Sequence, residues 1–284
     1  MPLKIKDIDE SQSPLLDHLI ELRSRLVRCV LTLAVAFAGS LYFAKPIFAM
    51  LVRPLSDAFP EGEGRLIYTK LYEAFFVEIK VALFAAFLVS FPFLANQLWA
   101  FVAPGLYARE KKAFLPFLLA TPVLFGAGAS LAYFVVMPTA FPWFLGFQRE
   151  TAGLSLQALP AMGEYLDLVM HFILAFGISF LLPVLLLLLN RAGIVTREQL
   201  TGARRYVIVG IFIVAAIATP PDVVSQLILA IPLLLLFEGS LLLMKPASKV
   251  AAEKAAEEVA EAAKEAAEAV KKAAEAAADT TPAS

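Results

Sequence analysis

A single cysteine, Cys29, stands among 284 residues, so no disulfide framework is available. Histidine is as scarce: His18 and His171 are the only two, and no Cys/His cluster has zinc-site spacing. The chain has no glycine-rich phosphate loop and no Gly-x-Ser-x-Gly elbow. Nucleotide hydrolysis and serine-hydrolase chemistry therefore have no motif to rest on. Charge is thin as well, at 17% Asp, Glu, Lys and Arg with a formal net charge of −1. What fills the chain is apolar. Hydrophobic residues make up 60% of it and mean hydropathy is +0.76, against about 45–50% apolar in soluble domains. This composition is that of a polytopic membrane protein. The N-terminal apolar run is too long for a cleavable signal peptide and lacks convincing small-residue cleavage patterning. No cofactor and no metal are expected.

Six apolar stretches are predicted as spans, at about 24–44, 73–102, 113–138, 164–189, 205–219 and 223–244. The expected fold is therefore all-α, a six-helix membrane domain over residues 1–244. The fifth stretch, Tyr206 to Thr219, is short: about 14 residues and about 21 Å of helix. A helix that short thins the bilayer or shelters inside the bundle. Pro92, Pro116, Pro122, Pro183 and Pro232 fall inside spans and should kink them. Pro138 and Pro142 are expected to close the third span, and Pro220 with Pro221 to force a tight turn before the sixth. Gly126 and Gly128 give the third span a small-residue face for close helix approach. From Lys245 onward the composition turns to Ala, Glu and Lys, predicting a solvated, helix-prone tail over 245–284.

Basic residues orient the chain. Lys4, Lys6, Arg23, Arg25, Arg28, Arg109, Lys111, Lys112, Arg191, Arg197, Arg204 and Arg205 fall on one side. Lys45, Arg53, Arg65, Lys70 and Arg149 fall on the other. Twelve against five places both termini in the cytoplasm.

The most informative run is His18-Leu19-Ile20-Glu21-Leu22-Arg23-Ser24-Arg25, at the mouth of the first span. Ser13 and Pro14 read as N-cap and first helical residue. Leu15, Leu19, Leu22 and Leu26 then form one apolar stripe, with His18, Glu21 and Arg25 on the polar face. Glu21 and Arg25 are four apart, which is helix-brace spacing worth about 0.2–0.5 kcal/mol. Glu21 is equally a carboxylate presented at the membrane edge. A second such acid is Glu110, after the Pro104-Gly105 turn, where it also suits the positive end of the third helix. Two rim carboxylates can each take a guanidinium bidentately, a geometry that favours arginine over lysine. Their natural complement is a ligand with two adjacent arginines.

These residues resemble the TatC family, the receptor subunits of the twin-arginine protein translocase. The resemblance runs from the His18–Arg25 block through Arg53-Pro54-Leu55, Phe75-Phe76 with Ile79-Lys80, and Trp99-Ala100-Phe101-Val102-Ala103-Pro104. It continues with Leu106-Tyr107 and Glu110, Ala132-Tyr133-Phe134, Thr219-Pro220-Pro221-Asp222 and Phe237-Glu238, covering about 13–244. The resemblance implies a concave, cup-like bundle in the bacterial cytoplasmic membrane. It implies TatA-like and TatB-like single-span partners, self-association in a larger complex, and export of folded proteins driven by the proton-motive force. Carried over by motif, Glu21 and Glu110 contact the arginine pair, with Arg23, Phe101, Leu106 and Tyr107 shaping that site. Pro54, Phe75, Tyr133, His171, Asp222, Gln226 and Glu238 belong to the outer cap, the concave wall or partner contacts.

Asp222 also reads as the N-cap of the sixth span, and Gln226 with Ser225 as interhelical hydrogen-bonding groups. Glu238 is an acid inside the sixth span, either paired, protonated or facing the concave wall. One departure from the family is plain. Phe176-Gly177-Ile178-Ser179-Phe180 is followed by Leu181, where the family usually has Glu or Gln. His171 lies ten positions earlier, about 15 Å along a helix, and cannot stand in for the missing group. It is a functional candidate in its own right or a neutral imidazole bonded to a neighbouring helix. The rival to a receptor is a small-solute secondary transporter. It would need a polar midplane site and is usually built on inverted repeats, and neither is evident. No acid or nucleophile pairing supports an intramembrane enzyme.

Overall fold

The computed structural model describes residues 9–60, 64–106, 111–151, 154–191, 194–220 and 222–244. Tyr107, Glu110 and the 245–284 tail lie outside the described residues. Among the described residues, five helical stretches are long and apolar enough to cross a bilayer: His18–Tyr42, Glu73–Phe101, Phe117–Leu145, Met162–Arg191 and Val223–Leu243. The first belongs to α1 (Asp9–Tyr42), which starts upstream of Ser13. Ser13 and Pro14 therefore do not begin the helix. Pro14 forfeits one backbone bond near its N-terminus instead, where the loss is small. Leu19, Leu22 and Leu26 are exposed, so the apolar stripe of α1 faces outward to lipid.

Phe43 interrupts the helix, and α2 (Ala44–Ser56) leads away from it. After a connecting segment, α3 (Glu73–Leu106) returns antiparallel along α1, its most extensive neighbour. The third span is α4 (Lys111–Leu131), a π-helical turn (Ala132–Val136) and α5 (Met137–Leu145). Pro138 and Pro142 do not close this span: the helix runs through both to Leu145. In the π turn the Met137 N–H reaches back to the Ala132 carbonyl. Pro138 follows where the hydrogen-bond ladder has already slipped, so its missing N–H disrupts little.

A small antiparallel hairpin, β1 (Arg149–Thr151) with β2 (Leu154–Leu156), connects onward, with Glu150 opposite Ser155. The fourth span is broken into α6 (Met162–Ser179) and α7 (Leu182–Arg191), with the break at Phe180-Leu181 just ahead of Pro183. A short α8 (Arg197–Gly202) opens on a capping box. Thr196 Oγ1 accepts from the Gln199 N–H at 3.2 Å, and Gln199 Oε1 accepts from the Thr196 N–H at 2.9 Å. Then come α9 (Arg204–Ala218) and α10 (Val223–Leu243). At 15 residues, α9 is about 22 Å long, below the roughly 30 Å of a hydrocarbon core.

The core is aromatic and aliphatic, with Phe172, Phe176, Phe237, Met137 and Leu229 fully buried. Glycine sets the closest helix approach. A Cβ on Gly128 of α4 would collide with the Phe176 carbonyl of α6, and one on Gly177 would lie 2.6 Å from the Phe125 ring. At Gly126 a Cβ would meet nothing within 4 Å. Only Gly128 of that pair therefore serves the close approach. Gly128→Val is expected to cost about 3 kcal/mol through overpacking, while Gly126→Val should be nearly neutral. Thermal unfolding of the two variants in detergent checks the pair; equal midpoints would contradict the packing described here.

Candidate functional site

Side chains converge where the N-terminal part of α1 passes the C-terminal part of α3. His18 stacks on Phe101, with ring centroids 4.2 Å apart and planes 13° from parallel. Two turns further along α1, Arg25 Nη1 donates to Gln97 Oε1 at 3.3 Å. Between these contacts sits Glu21. Its Oε1 accepts from Arg25 Nε at 2.9 Å and Nη2 at 2.6 Å, so the helix brace is real. Its Oε2 lies 3.8 Å from His18 Nδ1, beyond hydrogen-bond length, and takes no hydrogen bond among the described residues. The Glu21 side chain is 36% exposed. A carboxylate accepts about four hydrogen bonds, so Glu21 braces its own helix and still has capacity for a second cation. Arg23 is exposed beside it. Leu106 closes α3, and Tyr107 and Glu110 follow beyond the described backbone.

This end of α3 is fixed from behind. Trp99 Nε1 donates to Thr121 Oγ1 at 2.8 Å, and that hydroxyl donates to the Phe117 carbonyl at 2.7 Å. The Arg191 guanidinium lies over the Phe117 ring, 4.9 Å from its centroid. Those contacts join α3, α4 and α7 under the α1–α3 pair.

At the opposite end, Pro54 explains a second constellation. Lacking an N–H, it leaves the Met50 carbonyl without its partner in α2. The Tyr133 hydroxyl, aimed from the π turn, donates to that carbonyl at 2.7 Å. The buried Tyr165 hydroxyl donates to the next one, Leu51, at 2.9 Å. Pro54 and Tyr133 are thus partners through one orphaned carbonyl. Tyr133→Phe is expected to cost about 1 kcal/mol in the native background and almost nothing beside Pro54→Ala, which restores the backbone donor. A double-mutant cycle on thermal stability reads this coupling; strictly additive effects would contradict it.

The α3 and α6 helices are tied at the same end. Glu73 Oε1 accepts from the Gly163 N–H at 2.9 Å; its Oε2 accepts from the Thr69 N–H at 2.8 Å and the Lys70 N–H at 3.3 Å. Lower down, Lys80 Nζ lies 2.9 Å from each Asp167 carboxylate oxygen. Phe75 is exposed at the start of α3. His171 is exposed one turn below Asp167 and has no polar partner among the described residues. It is not the interhelically bonded imidazole offered as one reading.

On α10, Asp222 caps the helix: its Oδ2 accepts from the Ser225 N–H at 2.6 Å. Its Oδ1 and the Ser225 hydroxyl are buried without hydrogen-bond partners among the described residues. Gln226 Nε2 donates to the Phe212 carbonyl at 3.2 Å, an interhelical bond within the subunit. Glu238 is neither isolated nor deeply buried. It pairs with Arg204 at 2.9 Å, and both side chains are about half exposed. The structure therefore brings Glu21, Phe101 and Arg25 together at one rim and Pro54 with Tyr133 at the other end. His171 and the α10 residues stand apart from both.

Sequence reasoning passed over Gln97 and Asp167. Each had a signal, as a polar residue near the end of an otherwise apolar run.

A multi-pass helical membrane bundle, with a charged and aromatic rim where α1 meets α3, is the class of protein this geometry defines. Residues 17–232 match the family model for "Sec-independent protein translocase protein (TatC)". The Sec-independent protein translocase protein TatC of Magnetococcus marinus is 47% identical over 252 residues, covering 89% of this chain and 91% of that protein. The TatC protein of Escherichia coli strain K12 is 42% identical over 229 residues, covering 81% and 87%. A solved structure described as the twin-arginine translocase receptor TatC in DDM superposes with a TM-score of 0.68. Its sequence identity is 40%, over 80% of this chain and 99% of that one. The chain belongs to the TatC family and is a component of a Sec-independent protein translocase, which sets aside the small-solute carrier.

Proposed function

We propose that this subunit is the receptor for twin-arginine signal peptides, and that the α1–α3 rim takes the arginine pair. The observation that carries the reading is Glu21. It is anchored by Arg25, stays 36% exposed and, among the described residues, retains a carboxylate oxygen free of hydrogen bonds. An incoming guanidinium finds that oxygen already oriented, beside the flat His18–Phe101 stack. Glu110 supplies the second carboxylate, with Arg23, Leu106 and Tyr107 around it. The signal's apolar part lies along a concave wall of a six-helix cup, whose cap is built from α2 with Pro54, Phe75 and Tyr133. Folded cargo then crosses with TatA-like and TatB-like subunits, driven by the proton-motive force. Both termini lie in the cytoplasm of a bacterial cell, as the Lys and Arg distribution supports.

The partner surface follows the residues left with free capacity. These are His171 on α6 and the Gln226 side-chain carbonyl. Leu181 leaves the α6–α7 break without an ionisable side chain, so partner docking here uses other groups than the family's usual acid. Glu238, held by Arg204, contributes a fixed charge at that flank.

Photo-crosslinkers placed at positions 21 and 110 in membranes test the receptor reading. An Arg-Arg signal peptide should be captured from both positions. Absence of any adduct from position 21, with capture elsewhere on the bundle, would contradict it. The tail is outside this mechanism: truncation at Pro246 is expected to leave export intact, and an export assay with that chain checks it.

A further inference from the structure

We propose that a pocket between α3 and α6, at the end of the bundle opposite the Glu21 rim, binds a phospholipid headgroup that pairs a phosphate with a primary ammonium. The pocket has a volume of about 270 Å³ and is lined by Lys70, Tyr72, Phe76, Glu164 and the Lys80–Asp167 pair, among others.

Depth comes first. Gln97 is level with Arg25, the basic residue at the start of the first apolar span. From Gln97 to Lys80, α3 carries no charged residue and rises about 26 Å, close to the roughly 30 Å hydrocarbon thickness. From Arg25 to Tyr42, α1 rises about 26 Å as well. Lys80 therefore marks the far edge of the hydrocarbon. From Lys80 to Glu73 the helix climbs about 10 Å more, through the headgroup layer. The pocket occupies that interval. Tyr72 and Phe76, both lining it, are 59% and 54% exposed. Amphipathic aromatics gather at this depth because one end of the ring is wet and the other apolar.

Charge comes second. The two carboxylate oxygens of Glu73 are taken by the backbone N–H groups of Gly163, Thr69 and Lys70. Lys80 and Asp167 satisfy each other. Two groups in the pocket remain without an ion pair among the described residues, the Lys70 ammonium and the Glu164 carboxylate. Glu164 lies in the first turn of α6, where a carboxylate complements the positive helix end. One free cation and one free anion in a single pocket match a zwitterion. Lys70 takes the phosphate and Glu164 takes the ammonium. A choline head carries no N–H to donate, and a glycerol head carries no cation. Both should bind more weakly.

The test uses the full chain in nanodiscs holding ethanolamine, choline and glycerol phospholipids in equal amounts. Lipids retained after transfer to mild detergent are counted by native mass spectrometry. The ethanolamine lipid should be retained about fivefold over the other two, the scale of an exposed charge pair. Glu164→Gln should abolish its preference over the choline lipid, Glu164→Asp should keep it, and Lys70→Ala should lower its retention. Soluble phosphoethanolamine that displaces the lipid assigns recognition to the headgroup alone. Failure to displace it, with selectivity intact, assigns recognition to the whole lipid. Equal retention of the three lipids, or a preference that survives both Glu164→Gln and Lys70→Ala, would overturn the proposal.

Discussion

Glu21→Gln together with Glu110→Gln should lower affinity for an Arg-Arg signal peptide by about a hundredfold. In the proposed site each carboxylate would contribute a charge-assisted hydrogen bond, worth about 1.5–3 kcal/mol when desolvated and less at a rim open to water. About 1.4 kcal/mol per site is a factor of ten, and two independent sites multiply. The single variants should each fall by about tenfold. The brace makes the Glu21 case specific. Arg25 holds Oε1 with two bonds, and Oε2 accepts none among the described residues. A glutamine amide at position 21 keeps one acceptor oxygen, which Arg25 already claims, and turns an N–H₂ donor toward the arriving guanidinium. Helix stability should change little, since a brace of this kind is worth about 0.2–0.5 kcal/mol. Peptide titration by fluorescence anisotropy, alongside circular dichroism, separates the two quantities. A parallel loss of helix and affinity would assign Glu21 to the brace alone.

Glu73→Gln should release the joint between α3 and α6. Three backbone N–H groups converge on the two oxygens of this carboxylate, and the Thr69 hydroxyl lies 3.2 Å from one of them. An amide offers one acceptor oxygen and sets a donor against donors at the other position. Amide exchange at Gly163, or at Thr69 and Lys70, should then rise by about tenfold or more, while the interior of α6 stays protected. Glu73→Asp is too short to reach both partners and should free Gly163 first. Hydrogen–deuterium exchange by mass spectrometry resolves these segments. Unchanged protection in Glu73→Gln would show that the carboxylate is not what holds the two helix starts together.

Much of the bundle was legible because bilayer physics writes itself into long apolar runs. α9 and α10 begin and end within a residue or so of their expected bounds, since Arg204, Pro220 and Asp222 punctuate them. The Glu21–Arg25 brace was legible from its four-residue spacing. What the chain concealed is of two kinds. α2 carries Lys45, Arg53 and Pro54 in 13 residues, so it fell between the expected spans without a helix signal of its own. The π turn at Ala132–Val136 leaves no composition signal, and without it Pro138 and Pro142 looked like terminators. The other kind is distance along the chain. Arg25 and Gln97 are 72 positions apart, and Lys80 and Asp167 are 87 apart. No local pattern pairs them. The orphaned Met50 carbonyl was implicit in Pro54, but its donor, Tyr133, is 83 positions away.

The claim at the centre is that the rim reads guanidinium geometry and not merely positive charge. Binding of an Arg-Arg signal peptide and its Lys-Lys counterpart to the membrane-reconstituted subunit measures this directly. Both peptides carry the same charge, so electrostatic attraction cancels in the ratio. A bidentate fork on each arginine predicts that the Lys-Lys peptide binds at least about tenfold more weakly. Equal dissociation constants for the two peptides would contradict the account.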